Sequence, residues 1–375
     1  MENVVGKQFG KFYRDRSVFI TGHTGFKGGW LATWLKMLGT RVTGFALPPE
    51  SSKPNLFEIA SIGEGMVSIF GDVRDCSALT AAFEAQRPDI AFHLAAQPLV
   101  RRSYVDPVET YSTNIMGTVH FLQAVKSTPS VRVAIIITSD KCYDNCRAKA
   151  YTETDAMGGH DPYSASKGAA ELVTASYRKS FFPPDHVDRH GVSLSSVRAG
   201  NVIGGGDWSK DRLIPDCILS LKSGQPIVVR NPQMIRPWQH VLEPIAGYLW
   251  LAIRMREDPV GYAGAWNFGP CADESKTVRD VVNQVVAHWG SGQWELPLEG
   301  CQAPHEDMSL RLDSTKAANL LGWKTVLSVR ESVQKAVMWY RAYYQDPNFN
   351  GYDVTTHNIA DYVRTAQQAG IRWAM

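Results

Sequence analysis

Ser17-Val18-Phe19-Ile20-Thr21-Gly22-His23-Thr24-Gly25-Phe26-Lys27-Gly28 opens as a short β-prone run and breaks into glycines at 22, 25 and 28. An apolar stretch of helical length, residues 29–38, follows without a linker. Glycines at that spacing between a strand and a helix let the backbone come close to a pyrophosphate. The helix start then offers unpaired N–H groups and its positive dipole end. The glycine spacing alone says little, and a plain glycine-rich turn has the same letters. With both flanks in place it predicts a dinucleotide-binding turn.

Beyond the turn, short β-branched runs alternate with amphipathic stretches of helical length, the pattern of βαβ units and a parallel sheet. The expected strands are residues 17–21, 41–46, 67–70, 90–94, 133–138 and 193–198, with helices over 28–38, 77–86, 107–126 and 163–181. From about Asn201, glycine and proline punctuate shorter elements, as in Gly204-Gly205-Gly206-Asp207 and Asn231-Pro232. The predicted fold class is therefore α/β: a Rossmann-type, doubly wound parallel sheet with a smaller C-terminal α/β substrate-binding lobe. Runs 226–229 and 264–268 are expected to return from that lobe to the main sheet.

The 375 residues are 44% hydrophobic and 20% charged, with 39 Lys plus Arg against 37 Asp plus Glu. That balance excludes the basic bias of a nucleic-acid or anionic-membrane binder, so an anionic ligand must be met by local charge. The polar start, Met1 to Arg16, is not of signal-peptide type, and no apolar run is long enough to span a bilayer. Six scattered cysteines, Cys76, Cys142, Cys146, Cys217, Cys271 and Cys301, show neither C-x-x-C nor zinc-type spacing. The expectation is a cytoplasmic protein with reduced thiols, no metal, no nucleic-acid partner and no membrane association.

Ligands of such a sheet lie at the carboxyl ends of its strands. After the third strand, Gly71-Asp72-Val73 offers a carboxylate to an adenine amino group; a surface turn has the same letters. After the fourth, His93-Leu94-Ala95-Ala96-Gln97 has small residues that permit close backbone approach. The acidic ribose anchor expected at the end of the second strand is missing: the chain reads Phe45-Ala46-Leu47-Pro48-Pro49. That loop therefore leaves the choice between NAD and NADP open. His23 and Lys27 either alter cofactor affinity from inside the turn or are solvated helix-edge side chains. The sharpest constellation is Tyr163-Ser164-Ala165-Ser166-Lys167 opening a helix, with Thr138-Ser139-Asp140-Lys141 at the end of the fifth strand. Tyr163 and Lys167 share a helix face at i and i+4, and a nearby ammonium favours a phenolate able to act as base.

Taken in order, Gly22/Gly25/Gly28, Gly71-Asp72-Val73, Leu94-Ala95-Ala96, Ser139 and Tyr163…Lys167 resemble the extended short-chain dehydrogenase/reductase family over most of the chain. Asp140 beside Ser139 is similar to the nucleotide-sugar 4,6-dehydratases, whose strand end reads Thr-Asp-Glu. Lys141 departs from that glutamate and leaves the C5 base open, although related inverting dehydratases carry Asp-Lys there.

The resemblance implies NAD as cofactor, held by Gly22, His23, Gly25, Phe26, Lys27, Asp72, Val73, Leu94, Ala95, Ala96, Tyr163 and Lys167. It implies Ser139, Asp140, Lys141, Tyr163 and Lys167 as catalytic groups, Asp140 as the acid toward the C6 hydroxyl and Lys141, or a water it orients, as the C5 base. The substrate, a nucleotide hexose, is expected on Gln97, Asn201, Arg212, Arg230, Arg236, Asn267, His305 and Glu306. The loop 138–145, the glycine turn and Ile235-Arg236-Pro237-Trp238 imply CDP-glucose, converted to its 4-keto-6-deoxy form for deoxysugar and O-antigen or lipopolysaccharide biosynthesis. Residues 1–200 would then be the NAD-binding domain with the catalytic residues, and 201–375 mainly the nucleotide-sugar-binding lobe. Helices 107–126 and 163–181 would form a homodimer interface, in a dimer or tetramer, unless their apolar faces only pack on the sheet. Two rivals remain: a 4-epimerase, which shares Tyr163 and Lys167 but has no need of Asp140 as an acid, and a catalytically silent nucleotide-binding regulator.

Overall fold

A computed structural model describes residues 6–144, 150–270, 276–297 and 310–375. Strands β1 (Ser17–Thr21), β2 (Arg41–Ala46), β3 (Val67–Phe70), β4 (Ile90–His93), β5 (Val133–Ile137), β6 (Ser193–Ala199) and β7 (Gly264–Phe268) make one sheet. All are parallel, in the order β7-β6-β5-β4-β1-β2-β3. The strand order reverses between β1 and β4, where a crevice opens at the carboxyl edge of such a sheet.

Both faces of the sheet are covered, which is why its central strands read as unbroken apolar runs. Along β5, Val133, Ile135 and Ile137 enter one core while Ala134 and Ile136 enter the other. Val18 and Ile20 part from Phe19 in the same way along β1. Helices α1 (Phe26–Met37) and, later in the chain, Leu242–Glu257 cover the first face; α2 (Cys76–Gln86) and α3 (Gly117–Ser127) cover the second. Helix α4 (Pro162–Ser180) also joins the second face through Val173 and Tyr177. Its start is specified locally: Pro162 occupies the first turn and Asp161 caps Ser164 N–H at 2.9 Å.

Two expectations are corrected here. The helix expected over 107–126 is divided, with a π-helical turn at Ser112–Met116 between Pro107–Tyr111 and Gly117–Ser127. Within that turn Asn114 lies buried and bonds Gln97 and Ser166, and widened turns of this kind recur at functional positions. Run 226–229 does not return to the main sheet: Ile227–Val228 pairs with Trp294–Glu295 instead. Pro226 brings no N–H donor and Val228 is exposed, features of an edge strand. Run 264–268 does return, as β7 beside β6.

The chain's end also closes back on its start. Helix Gly351–Gln368 packs against α1, and Trp373 stacks on Phe9 with centroids 4.9 Å apart. Among the described residues no helix is long and apolar enough to cross a membrane. Cys76, Cys142 and Cys217 are free thiols.

Candidate active site

A cavity of about 1090 Å³ opens at the carboxyl edge of the sheet, lined by the glycine turn and by Arg212, Arg230 and Arg236 among others. The turn has its shape only with glycine in place. A Cβ on Gly28 would stand 2.0 Å from the Gly22 carbonyl oxygen, and one on Gly22, where φ is +77°, would stand 2.8 Å from Ala95 N. A Cβ on Gly25 would meet nothing nearer than 3.4 Å, so this residue presents its open side. Helix α1 begins there with no side-chain cap and no acid in its first turn, leaving N–H groups for a ligand's phosphates. Thr21 ties the turn to β4 by accepting from the N–H groups of Leu94 and Ala95, each at 3.1 Å. Phe26, Lys27, Asp72, Val73, Leu94, Ala95 and Ala96 all line the cavity beside it. These residues fit a dinucleotide, and Asp72 is held in place there by Arg74, whose Nε and backbone N both donate to it at 2.8 Å. That contact holds its carboxyl below the usual range.

His23 corrects one expectation. Its ring is fully buried off the cavity wall, packed where Gly44 leaves room: a Cβ on Gly44 would lie 2.2 Å from His23 Cγ. The ring hydrogen-bonds Ser68 Oγ at 2.7 Å, and burial drops its pKa to about 4, so it is neutral. Lys27 does reach the cavity. Burial first, then the charges of Arg212 and Lys167, lower its pKa to about 7 against the opposing pull of Asp140.

Ser139, Asp140, Tyr163 and Lys167 are buried together on the wall formed by the end of β5 and the start of α4. Ser139 Oγ donates to Asp140 Oδ1 at 2.9 Å and accepts from Lys141 N at 3.2 Å. The space for Asp140 depends on Gly200, where a Cβ would stand 3.1 Å from Oδ2. Burial raises the Asp140 carboxyl, with Lys141, Ser139 and Arg236 pulling against it, and a raised carboxyl is what a proton donor needs. Burial pushes the Tyr163 phenol up to about 12, while its hydrogen bond with Ser139 and the charge of Arg212 pull it down. Lys167 is lowered by burial to about 8 and so keeps most of its charge at neutral pH. Behind the pair, Asn114 donates to Ser166 Oγ at 2.8 Å and Ser166 donates to Tyr163 O at 2.6 Å, fixing the helix start. Lys141 lies half-buried on the same wall.

The expected substrate residues divide. Asn201, Arg212, Arg230 and Arg236 line the cavity, Arg212 paired with Asp207 at 2.8 Å. Gln97 lines it too, but its amide is engaged within the protein: it donates to Thr110 at 2.9 Å and accepts from Leu99 N at 2.7 Å. Asn267 is not on the wall. Its side chain accepts from Tyr143 Oη at 2.8 Å and donates to the carbonyls of Tyr151 and Asp313. His305 and Glu306 lie outside the described residues. Sequence reasoning passed over Arg101, Asp207 and Asp211 on the wall and the buried pair Glu171 and Arg198 behind it. The spacing of Glu171, four residues after Lys167, was the one available signal.

The model of the GDP-mannose 4,6 dehydratase family matches residues 19–336. The chain is 49% identical over 333 residues to CDP-glucose 4,6-dehydratase of Salmonella typhimurium, covering 88% of this chain and 92% of that one. To dTDP-glucose 4,6-dehydratase of the same organism it is 25% identical over 346 residues, covering 87% and 92%. Among solved structures it is similar to dTDP-glucose 4,6-dehydratase of Bacillus anthracis in complex with NAD, with a TM-score of 0.72, 20% identity and coverage of 87% and 96%. UDP-glucose 4-epimerase of Thermotoga maritima with UDP-glucose gives a TM-score of 0.72 at 20% identity, covering 88% and 100%. At that identity the two structures speak for the fold alone.

Proposed function

Since the chain belongs to the GDP-mannose 4,6 dehydratase family, we propose that it is an NAD-dependent nucleotide-sugar 4,6-dehydratase acting on CDP-glucose. The carrying observation is the buried group Ser139, Asp140, Tyr163 and Lys167 facing a glycine cradle across one cavity. Residues 1–200 hold the cofactor on Gly22, Gly25, Phe26, Lys27, Asp72, Val73 and Leu94–Ala96; residues 201–375 mainly hold the nucleotide sugar, on Asn201, Arg212, Arg230 and Arg236. Bound in that cradle, NAD would supply a reversible hydride acceptor for C4 oxidation and C6 reduction, so none would be consumed overall.

The chain's own groups move the protons. Tyr163, acting as the phenolate that its Ser139 hydrogen bond and the Arg212 charge favour against burial, accepts the C4 hydroxyl proton. The resulting ketone acidifies C5–H, which Lys141 or a water beside it removes, and the same group returns a proton to C5 when C6 is reduced. Asp140 gives its proton to the departing C6 hydroxyl, which leaves as water, and the product is the 4-keto-6-deoxy sugar on its nucleotide, a precursor for deoxysugars of surface polysaccharides such as O-antigen. Asp140 is what favours this reading over a 4-epimerase, which transfers no proton to a C6 leaving group.

Incubation with CDP-glucose, dTDP-glucose, UDP-glucose and GDP-mannose tests the proposal. We expect a 4-keto-6-deoxy product from CDP-glucose with no net reduction of NAD over many turnovers. A 4-epimer as product, or NADH formed in step with turnover, would reject it.

We also propose a cytoplasmic homodimer joined through the surface of helices Val100–Val105, Pro107–Tyr111 and α4. Val105, Val108 and Leu172 are exposed there at 85%, 77% and 63%, beside Tyr104 and Met116, a patch of the kind that marks an interface. Leu172→Glu with Val108→Asp is expected to halve the mass seen by light scattering with the thermal midpoint nearly unchanged. An unaltered mass excludes this surface, and a fourfold protomer mass in the parent identifies a tetramer.

A further inference from the structure

Three charged side chains that no proton transfer requires meet on the cavity rim. Arg101 comes from helix Val100–Val105 on the sheet side, Arg230 from the loop after Ile227–Val228, and both reach one oxygen of Asp211. Arg101 Nη1 lies 3.0 Å and Arg230 Nη2 3.3 Å from Asp211 Oδ1. Three other guanidiniums of this wall each have a carboxylate of their own: Arg74 with Asp72, Arg102 with Glu109 and Arg212 with Asp207. At Asp211 two guanidiniums share one carboxylate, and Asp216 is the next carboxyl on the wall, its charge opposed by Asp211 and favoured by Arg101. An oxygen held between two guanidiniums is also how arginine forks grip phosphate.

We infer that Asp211 is an internal stand-in for the substrate's diphosphate, holding Arg101 and Arg230 across the cavity mouth until the phosphates displace it. The inference rests on the nucleotide-sugar reading above and adds Arg101 to the diphosphate-binding side chains. Displacement is favourable on charge. The three side chains are 40%, 36% and 40% exposed for Arg101, Arg230 and Asp211, and exposed pairs of this kind are weak. A diphosphate brings more charge and more acceptor oxygens than one carboxylate.

The test is calorimetric titration of the full-length protein with CDP, cytidine and inorganic pyrophosphate. Asp211→Asn removes the charge at constant size, and asparagine tolerates the left-handed backbone of this position, where φ is +61°. It is expected to bind CDP and pyrophosphate about five-fold more tightly, the scale of one or two exposed ion pairs, and cytidine as before. Arg101→Gln is expected to weaken CDP and pyrophosphate about ten-fold without affecting cytidine. If Asp211→Asn leaves both phosphorylated ligands unchanged or weaker, the stand-in role is overturned while the nucleotide-sugar reading survives. If the parent protein binds pyrophosphate but neither CDP nor cytidine, that reading fails instead, and the effect of Asp211→Asn on pyrophosphate still decides the role of Asp211.

Discussion

Tyr163→Phe is expected to lower turnover of CDP-glucose by about a thousand-fold or more while leaving CDP binding and the thermal midpoint nearly unchanged. In the proposed mechanism the phenol accepts the C4 hydroxyl proton, and the substitution removes only its hydroxyl and that hydroxyl's contact to Ser139. Without it no ketone forms at C4, C5–H stays non-acidic, and elimination cannot begin. A single-turnover experiment should therefore show no reduced-nicotinamide absorbance at all. Lys141→Met provides the contrast: Tyr163, Ser139 and Lys167 remain, so oxidation proceeds, and the loss falls on removal of C5–H. Reduced nicotinamide should then accumulate, and solvent deuterium should enter C5 more slowly than in the parent. Parent-rate deuterium entry in Lys141→Met assigns the C5 proton to another base. Equal oxidation in Tyr163→Phe and the parent would remove Tyr163 from the mechanism.

The parts of the site legible in the sequence are those where a residue type is required by its immediate neighbours. Gly28 and Gly22 stand where any Cβ collides with backbone a few positions away or across β4, and Tyr163 and Lys167 share a helix face by spacing alone. The strands were legible because both sheet faces are buried, which writes Val133-Ala134-Ile135-Ile136-Ile137 as one apolar run. What escaped depends on pairs brought together only by folding. His23 reads as a bulky intruder in a phosphate turn until Gly44, a residue of β2, is seen to leave space for its ring. Asn267 and Gln97 look free to meet a ligand until Tyr143, Tyr151, Asp313 and Thr110 are found on their amides. The break in the expected helix 107–126 has its cause in Asn114, whose partners Gln97 and Ser166 lie 17 and 52 residues away. Burial lowers Lys27 to about 7 and Lys167 to about 8, an effect of folding that spacing along the chain does not show.

The largest expected loss of stability comes from Arg198→Met, because Arg198 neutralises a carboxylate on which the catalytic wall is hung. Glu171, one turn beyond Lys167 on α4, accepts from Thr138 Oγ1 of the β5 end at 2.5 Å, from Ser196 Oγ at 2.7 Å and from Arg198 Nη2 at 2.8 Å on β6. The pair is almost wholly buried, at 3% and 4% exposure. Burial alone would raise the Glu171 carboxyl, but the charge and hydrogen bond of Arg198, with those of Thr138 and Ser196, hold it below its ordinary 4.5. Removing one partner of such a pair leaves an uncompensated buried charge and costs about 3–5 kcal/mol. Arg198→Met with Glu171→Gln should recover much of that loss, since no charge is then left alone. The sign of the pH dependence separates this from a simple packing defect. With its folded pKa below the unfolded one, Glu171 stabilises the parent above about pH 4.5, and that contribution is lost as pH falls through the folded value. In Arg198→Met the buried carboxyl keeps the hydrogen bonds of Thr138 and Ser196 and the more distant charges of Lys167 and Arg178 but loses its ion-pair partner, so burial raises its pKa and its contribution improves on acidification. Thermal midpoints measured from neutral pH down to the acid range should therefore fall in the parent over an interval where the Arg198→Met deficit narrows. A deficit independent of pH would mean that Arg198 acts through its packing, and the ion pair would lose its place as the anchor between α4, β5 and β6.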